Sequence, residues 1–386
     1  MEAVTDHLPG AGKAPAVHID GDRRDLRLDA CRGLALWFIF IDHIPDNAFD
    51  WLTLRNYGFS DTTEVFVFVS GYTCMLAYGG TLREQGWPTI VARALRRGFE
   101  IYAAFLMLVI VYLVLIWVAG GGGRSLDETN TRFFFDNPGV ALAHVVVLRY
   151  TPVNTDILPT FVLLHLAFPA VLWLLIRNAA AALVLSFLLY LMVQLFSWHV
   201  PAWPTGELYF NPLAWQILFV FGAWYADRGA GRLKTIVQSR GTLWLAVLYL
   251  AFSLIVTLSW QIEPLTWLIP DAVSKLIYPI YKSHLAPVRL VHFLALAVVV
   301  SRLMPHGWHG LMKPWMTAMI RCGENSLSMY CFSVLLSFAG FVILTGISGS
   351  FAMQAAVSVA GIALMIAAAT LMTWEAKLDR RGPKLF

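Results

Sequence analysis

Residues 31–47 read CRGLALWFIFIDHIPDN and resemble a membrane helix that ends early on charged groups. An unbroken apolar run separates Arg32 from His43, and Pro45 follows where lipid would still be expected. Proline lacks a backbone N–H and clashes one turn back, so it predicts a break in the helix. Irregular backbone at membrane depth has to line a cavity or lie within protein. We therefore predict a crevice at the outer end of this span, with Asp46 as a substrate-binding residue.

The composition of the whole chain is that of a polytopic membrane protein. Its 386 residues are 58% hydrophobic and 13% charged, and the mean hydropathy is +0.65. Soluble domains carry about 25% charged residues. A helix needs about 20 apolar residues to cross the hydrocarbon layer. The apolar runs predict about ten transmembrane helices, at 31–46, 60–80, 99–119, 157–176, 180–197, 213–227, 242–260, 289–304, 318–341 and 352–374.

The charge of the loops orients this all-α arrangement. With ten spans both termini lie on one side, and the loops on that side hold most of the lysines and arginines. Because these residues accumulate on the cytoplasmic side, both termini are predicted to be cytoplasmic. An eleventh span at 138–149 would place the basic segment 228–240 outside. We therefore predict that 138–149 forms a short re-entrant or interfacial helix.

The expected organisation is one transmembrane domain at residues 27–376. Residues 1–26 have no apolar signal-peptide region and are predicted to form a disordered cytoplasmic tail. Residues 377–386 are predicted to form a second cytoplasmic tail. The four cysteines lack metal-ligand spacing, so we expect free thiols and no metal site. The net charge of +4 gives no indication of a nucleic-acid partner.

His43 is the leading catalytic candidate. If Arg32 marks the cytoplasmic boundary, eleven helical residues rise about 16 Å and place His43 near the bilayer midplane. An ionisable group at that depth is a functional candidate, although a neutral histidine bonded between helices is the alternative. Glu64 opens the second span and is the predicted partner, because a carboxylate can orient an imidazole and raise its basicity. We predict His43 as general base and Glu64 as its orienting residue.

A cluster of arginines precedes the third span in VARALRRGFEIY, residues 91–102. Arg93 and Arg96 fall on one helical turn, and such a cluster suits a polyphosphate. Anchoring by the positive-inside rule is the alternative. Together with Arg32 these residues are predicted to bind the phosphates of a cytoplasmic acyl-CoA, whose thioester reaches the base within the membrane.

The acceptor is expected from the opposite side. Arg149 leaves an apolar helix in VVLRYTPVNTD and suits a carboxylate. Trp203 is one of several outer aromatic residues that could stack on sugar rings. The alternative for such residues is an interfacial belt, which most membrane proteins have. We predict Arg149 and Trp203 as substrate-binding residues.

Two blocks carry a family resemblance. RDLRLDACRGLALWFIFIDHIPDN at 24–47 and LRNYGFSDTTEVFVFVSGY at 54–72 resemble the OpgC family, membrane proteins of Gram-negative bacteria that succinylate osmoregulated periplasmic glucans. The resemblance implies a succinyl-CoA donor, a periplasmic glucan acceptor and a place in the bacterial inner membrane, among membrane lipid. It implies no permanently bound cofactor.

A wider similarity is to the acyltransferase-3 superfamily. Its marks are a basic residue before a first-span histidine, an SGF or SGY triplet and an RxxR pair. Here they fall on Arg32 with His43, on the triplet at 70–72, and on Arg93 with Arg96. This similarity implies acyl transfer with His43 essential. The alternative function is a proton-coupled transporter or flippase of a polar or glycan substrate, with His43 and Glu64 as proton relay.

Overall fold

The computed structural model describes residues 25–120, 123–305 and 307–381. Over these residues the chain is 81% helical and has no strand, which confirms the all-α class. Residues 1–24 of the first predicted tail lie outside the described residues. Residues 382–386 of the second predicted tail also lie outside them. The helices are α1 Leu26–Asp42, α2 Thr62–Val118, α3 Gly123–Glu128, α4 Arg132–Asp136, α5 Pro138–Val146, α6 Ile157–Arg177, α7 Ala179–Phe196, α8 Pro212–Trp224, α9 Ala230–Gln238, α10 Arg240–Gln261, α11 Asp271–Ile277, α12 Pro287–Leu303, α13 Pro314–Glu324, α14 Ser326–Gly346 and α15 Phe351–Arg381.

Seven helical segments in the described part of the chain are long and apolar enough to cross a membrane. The predicted count of about ten is not confirmed. Three of the predicted spans correspond to α1, α8 and α12, which have 17, 13 and 17 residues and fall short of the length that a straight crossing needs. The seven segments are Thr62–Leu82 and Glu84–Val118 of α2, then Ile157–Arg177, Ala179–Phe196, Arg240–Gln261, Ser326–Gly346 and Phe351–Leu378.

The helix α2 joins two predicted spans that the sequence had separated by a basic loop. It continues through the arginine segment and is interrupted at Gly86, where φ is +76°. Glycine adopts a positive φ at little cost, and Pro88 two residues later favours the start of a new helical arm. The second arm, Glu84–Val118, has 35 residues and is about 52 Å long, more than the hydrocarbon layer requires. The arginines therefore lie on a helix, as the spacing of Arg93 and Arg96 indicated.

Close backbone packing brings α2 against α8 and α1 against α13. A Cβ added to Gly71 would lie 1.9 Å from the Phe219 carbonyl oxygen, and one added to Gly33 would lie 1.8 Å from that of Met319. Small residues let membrane helices approach in this way. The glycine of the SGY triplet is thus a packing residue. These two close approaches fix the positions of α1 and α2, which line the site described below.

The predicted break near Pro45 is confirmed. Helix α1 ends at Asp42 with His43 as its C-terminal cap, and Asp46 follows with a φ of +59°. The predicted short helix near 138–149 is also present, as the nine-residue α5. By contrast, the predicted span 318–341 is two helices, because α13 ends at Glu324 and α14 begins at Ser326.

Candidate functional site

A cavity of about 1350 Å³ lies between α1, α2 and α6 and extends to the segments 149–156 and 202–210. It gathers most of the predicted site residues. Glu64 and Asp46 are not among its lining residues, and Asp46 is exposed in the turn after α1. The predicted residues that line the cavity are Arg32, His43, Arg93, Arg96, Arg149 and Trp203.

Polar contacts along α2 give the order of the groups in this cavity. Asp61 caps the start of α2 and contacts Lys282. Farther along, Arg32 donates to the Thr73 hydroxyl at 2.8 Å, and Arg93 donates to the Thr81 hydroxyl at 2.5 Å. Since a helix rises about 1.5 Å per residue, Thr81 lies about 30 Å from Asp61. The cavity thus has one end at Asp61 and the other at the arginines.

His43 lies where α1 stops. Its backbone N–H donates to the Ile39 carbonyl at 3.0 Å, and its side chain lines the cavity. The ring nitrogen Nδ1 is buried and has no hydrogen-bond partner among the described residues. Buried polar atoms are nearly always paired, and those that are not often belong to a functional site. The imidazole therefore has an unused hydrogen-bonding position.

The predicted contact between Glu64 and His43 is not present. Both oxygens of the Glu64 carboxylate accept hydrogen bonds from other groups. Arg289 of α12 donates from Nε to Glu64 Oε1 at 2.8 Å. The other oxygen, Oε2, accepts from the Asp61 backbone N–H at 3.0 Å and closes a capping box at the start of α2. A buried carboxylate is stable only when paired and hydrogen-bonded, and Arg289 satisfies this need better than an imidazole. Glu64 is therefore a structural anchor of the site in this conformation.

Asp61 and Lys282 complete an ionic network beside Glu64. The Lys282 Nζ lies 2.6 Å from Asp61 Oδ2, and Arg289 Nη2 lies 3.1 Å from the same oxygen. Two carboxylates thus face two cations, so the network is neutral as a unit. The sequence contained one indication of this ionic network. Arg289 and Glu64 each stand near the start of a predicted apolar span, where a lone charge requires a partner.

The segment 281–286 that carries Lys282 is held by helices α7 and α8. Trp215 donates its indole N–H to the Ser283 carbonyl at 3.1 Å, Tyr190 donates to the Leu285 carbonyl at 2.9 Å, and Gln194 donates to the His284 carbonyl at 2.7 Å. These three side chains satisfy the carbonyl groups of an irregular segment. The segment can therefore lie beside the cavity with Lys282 fixed on Asp61.

The arginine end of the cavity carries an excess of positive charge. Arg96 and Arg97 share Glu100, with contacts of 3.1 Å each. Arg93 bonds neutral groups, the Thr81 hydroxyl and the Gln85 side-chain oxygen at 3.2 Å. Guanidinium groups in this arrangement retain free N–H donors, which suits an anion with several oxygens.

Arg149 and Trp203 lie together at the other end. Trp203 donates its backbone N–H to the Arg149 carbonyl at 2.7 Å. Its ring stacks on His144 at 4.8 Å between centroids and meets the edge of Tyr150 at 5.6 Å. The Arg149 side chain is exposed. The structure thus presents a fixed aromatic ring beside an accessible cation.

Asp156 is a carboxylate at this end that the sequence analysis did not assign to the site. It lines the cavity just before α6 and accepts a hydrogen bond from the Thr151 hydroxyl at 2.7 Å. Burial raises the pKa of Asp156 to about 6, and the Thr151 hydrogen bond offsets only part of that rise. A carboxyl group of this kind can accept or donate hydrogen bonds near neutral pH.

The comparisons with known proteins fit this arrangement. A family model described as OpgC protein matches residues 24–377, nearly the whole chain. No curated protein and no solved structure matches the chain. The match names the same family as the sequence resemblance. The wider similarity to the acyltransferase-3 superfamily is not covered by this match and stays a prediction.

Proposed function

The chain belongs to the OpgC family, and from this premise we propose that it is a membrane O-acyltransferase. The family suggests a glucan-modifying acyltransferase role. The donor is a cytoplasmic acyl-CoA, with succinyl as the acyl group, and the acceptor is a hydroxyl of a periplasmic glucan. One observation carries the proposal: a single continuous cavity is lined by the arginines Arg32, Arg93 and Arg96 and by His43.

The donor enters at the arginine end. Arg93 and Arg96 bind the phosphate groups of CoA, and Arg97 beside them adds a third guanidinium. Arg32 lies closer to His43 along α1 and is held by Thr73, so it contacts the inner part of the donor. In this arrangement the thioester lies near the end of α1, where His43 stands.

His43 acts as the general base. Its imidazole takes the proton from the acceptor hydroxyl while the hydroxyl oxygen attacks the thioester carbonyl carbon. The C–S bond then breaks, the new ester forms, and the imidazolium returns the proton to the leaving CoA thiolate. Lys282 lines the same cavity and is held in place by Asp61, so it can stabilise negative charge that develops on the carbonyl oxygen. Glu64 contributes by fixing α2 through Arg289 rather than by contacting His43.

The acceptor binds at the end that Trp203 and Arg149 line. The Trp203 ring, fixed by His144 and Tyr150, provides a flat apolar surface of the kind on which a sugar ring packs. Arg149 is accessible for the free carboxylate of the succinyl group. Asp46 lies outside the cavity lining, so an acceptor role for Asp46 requires a glucan that extends beyond the cavity.

The proposed place of the enzyme is the bacterial inner membrane, with both termini cytoplasmic. The seven apolar helices support a multi-pass membrane protein. The transporter alternative required a relay between His43 and Glu64. The pairing of Glu64 with Arg289 leaves no direct contact for such a relay among the described residues, and therefore favours acyl transfer.

The experiment that tests the proposal uses the purified full-length protein in proteoliposomes. Succinyl-CoA is supplied on the arginine side and unmodified periplasmic glucan on the other, and the glucan is analysed by mass spectrometry. We expect one succinyl mass per substituent, and a rate of formation at least about a hundredfold lower with the His43→Ala variant. Transport of glucan or protons without any acylated product would overturn the proposal in favour of the transporter.

A further inference from the structure

His165 is a buried histidine on the cavity wall that the proposed reaction does not yet use. It belongs to α6, is 6% exposed and lines the cavity. Its Nδ1 lies 2.8 Å from the Phe161 carbonyl oxygen. A carbonyl oxygen can only accept, so Nδ1 carries the hydrogen. In the neutral imidazole the second nitrogen, Nε2, is then an acceptor without a hydrogen, and its tautomer is fixed by the protein.

The surroundings of the ring keep it in this form. Phe161 and Phe219 lie next to it, with centroid distances of 6.2 and 5.7 Å. A second N–H in this aromatic pocket would be a buried charged donor, which costs free energy. The ring is also rigid, because Phe161 holds it from one side and Phe219 meets it edge-on from the other. Its acceptor is therefore preorganised.

His165 lies beside the arginines, on the side that faces the outer end of the cavity. The next residue, Leu166, packs against Gly98, where an added Cβ would lie 2.7 Å from the leucine Cδ2. Gly98 directly follows Arg97, which lines the cavity. On the same face of α6, Leu158 and Phe161 continue the lining toward Asp156 at the other end. His165 thus lies between the proposed phosphate site and the outer end.

Apolar side chains make up part of the cavity wall, beside polar ones such as Ser70 and Thr73. Lining residues from three helices present Ile39, Cys74, Ala77, Ile101 and Phe161 to the cavity. A donor arm that passes such walls buries its polar groups, and an amide N–H left without a partner costs about 1–3 kcal/mol. The arm between the phosphates and the thioester of CoA contains amide N–H groups. His165 Nε2 is a fixed acceptor in this wall and is suited to such an N–H group.

We propose that His165 Nε2 accepts a hydrogen bond from an amide N–H of the pantetheine arm of the donor, and so directs the thioester toward His43. This inference rests on the proposed acyl-CoA donor. It makes His165 a positioning residue, because it contacts the arm rather than the reacting atoms. It assigns the phosphates to the arginines and the arm to α6, so the two parts of the donor are recognised separately.

The test compares two ligands that differ in the arm alone. CoA contains it, and 3′-phospho-ADP carries the same phosphates without it. Binding of both is titrated against the full-length wild type and against His165→Phe, which keeps an aromatic ring and loses the acceptor. We expect His165→Phe to bind CoA about five- to tenfold more weakly and 3′-phospho-ADP as the wild type does. His165→Gln, which offers an amide oxygen in place of Nε2, is expected to recover part of the CoA affinity.

The outcomes separate this inference from the proposed function. Unchanged CoA binding by His165→Phe, or an equal loss for both ligands, would assign His165 a structural role and overturn the inference. No binding of CoA to the wild type would overturn the acyl-CoA donor, and the inference with it. A rise in KM for succinyl-CoA in His165→Gln that is smaller than in His165→Phe, at similar kcat, would support the positioning role.

Discussion

Arg289 binds Glu64 across 225 residues of sequence, with its Nε–H donating to Oε1 at 2.8 Å. The same guanidinium reaches Asp61 at 3.1 Å. This contact joins the first turn of α12 to the first turn of α2. It thereby fixes one wall of the cavity near its outer end, where the proposed reaction takes place.

The first prediction concerns the stability of this pair. Arg289→Leu should lower the free energy of unfolding by about 3–5 kcal/mol, because it leaves a buried Glu64 carboxylate without its partner. The double change Glu64→Leu with Arg289→Leu should cost less, since no charge is left alone. Thermal unfolding in detergent measures both variants. Arg132→Ala, which breaks an exposed pair with Asp127, is the control and should leave the Tm nearly unchanged.

The second prediction concerns the base. His43→Ala should lower kcat by about 10²- to 10⁴-fold, because proton removal from the acceptor hydroxyl is lost. CoA binding should persist, since the arginines are untouched. The measurements are the initial rate of glucan succinylation and a CoA titration. His309→Ala, at an exposed histidine that does not line the cavity, should retain full activity. Normal turnover in His43→Ala would refute the mechanism.

The third prediction separates a phosphate site from simple anchoring. The double variant Arg93→Lys with Arg96→Lys keeps both positive charges, so membrane orientation should not change. It loses the planar guanidinium and its paired N–H donors. We expect the KM for the donor to rise about tenfold or more, in line with about 1–3 kcal/mol per charged hydrogen bond. Steady-state kinetics with succinyl-CoA gives the value.

A matched control for this variant is Arg177→Lys. Arg177 ends α6, lies over the Trp173 ring at 4.4 Å and does not line the cavity. Its replacement should leave the donor KM unchanged. If the Arg93 and Arg96 variant behaves as Arg177→Lys does, both residues serve only as anchors.

The fourth prediction concerns the acyl group. Arg149→Gln should reduce transfer from succinyl-CoA, because the succinyl carboxylate loses its cation, and should affect transfer from acetyl-CoA little. The expected change in the ratio of kcat/KM for the two donors is about tenfold. Lys275→Gln, at a cation of α11 away from the cavity lining, should not change the ratio. A parallel loss with both donors would refute the carboxylate role.

The fifth prediction concerns helix packing at Gly71. Gly71→Ala places a methyl group against the Phe219 carbonyl, at 1.9 Å in the present structure, so α2 and α8 have to separate. Overpacking of this kind costs about 1–3 kcal/mol. On the same helix, a Cβ at Gly80 would meet nothing within 4 Å, and Gly80→Ala should leave the Tm unchanged or raise it. Equal Tm values for the two variants would contradict the packing role.

The sequence alone determined the features that depend on local chemistry. Long apolar runs indicated membrane helices, because the bilayer selects for hydrophobic length. Pro45 indicated the end of α1, since a missing N–H stops a helix wherever the chain lies in the fold. Side chains suited to acyl transfer, among them His43 and Arg93, were recognisable from residue type and spacing. Their roles remain predictions, yet the structure does place them on one cavity.

The tertiary structure decided what depends on distant neighbours. The sequence allowed Glu64 to face His43. In the structure Arg289 of α12 bonds the Glu64 carboxylate instead, because a charged guanidinium satisfies a buried carboxylate more completely than a neutral imidazole does. The basic segment before the third predicted span joins that span to the second one in a single bent helix, because Gly86 lets α2 bend and resume. The position of His165 on the cavity wall also depends on tertiary packing, since the next residue, Leu166 of α6, packs against Gly98. Local patterns contain no information about which elements meet, and the site is formed where they meet.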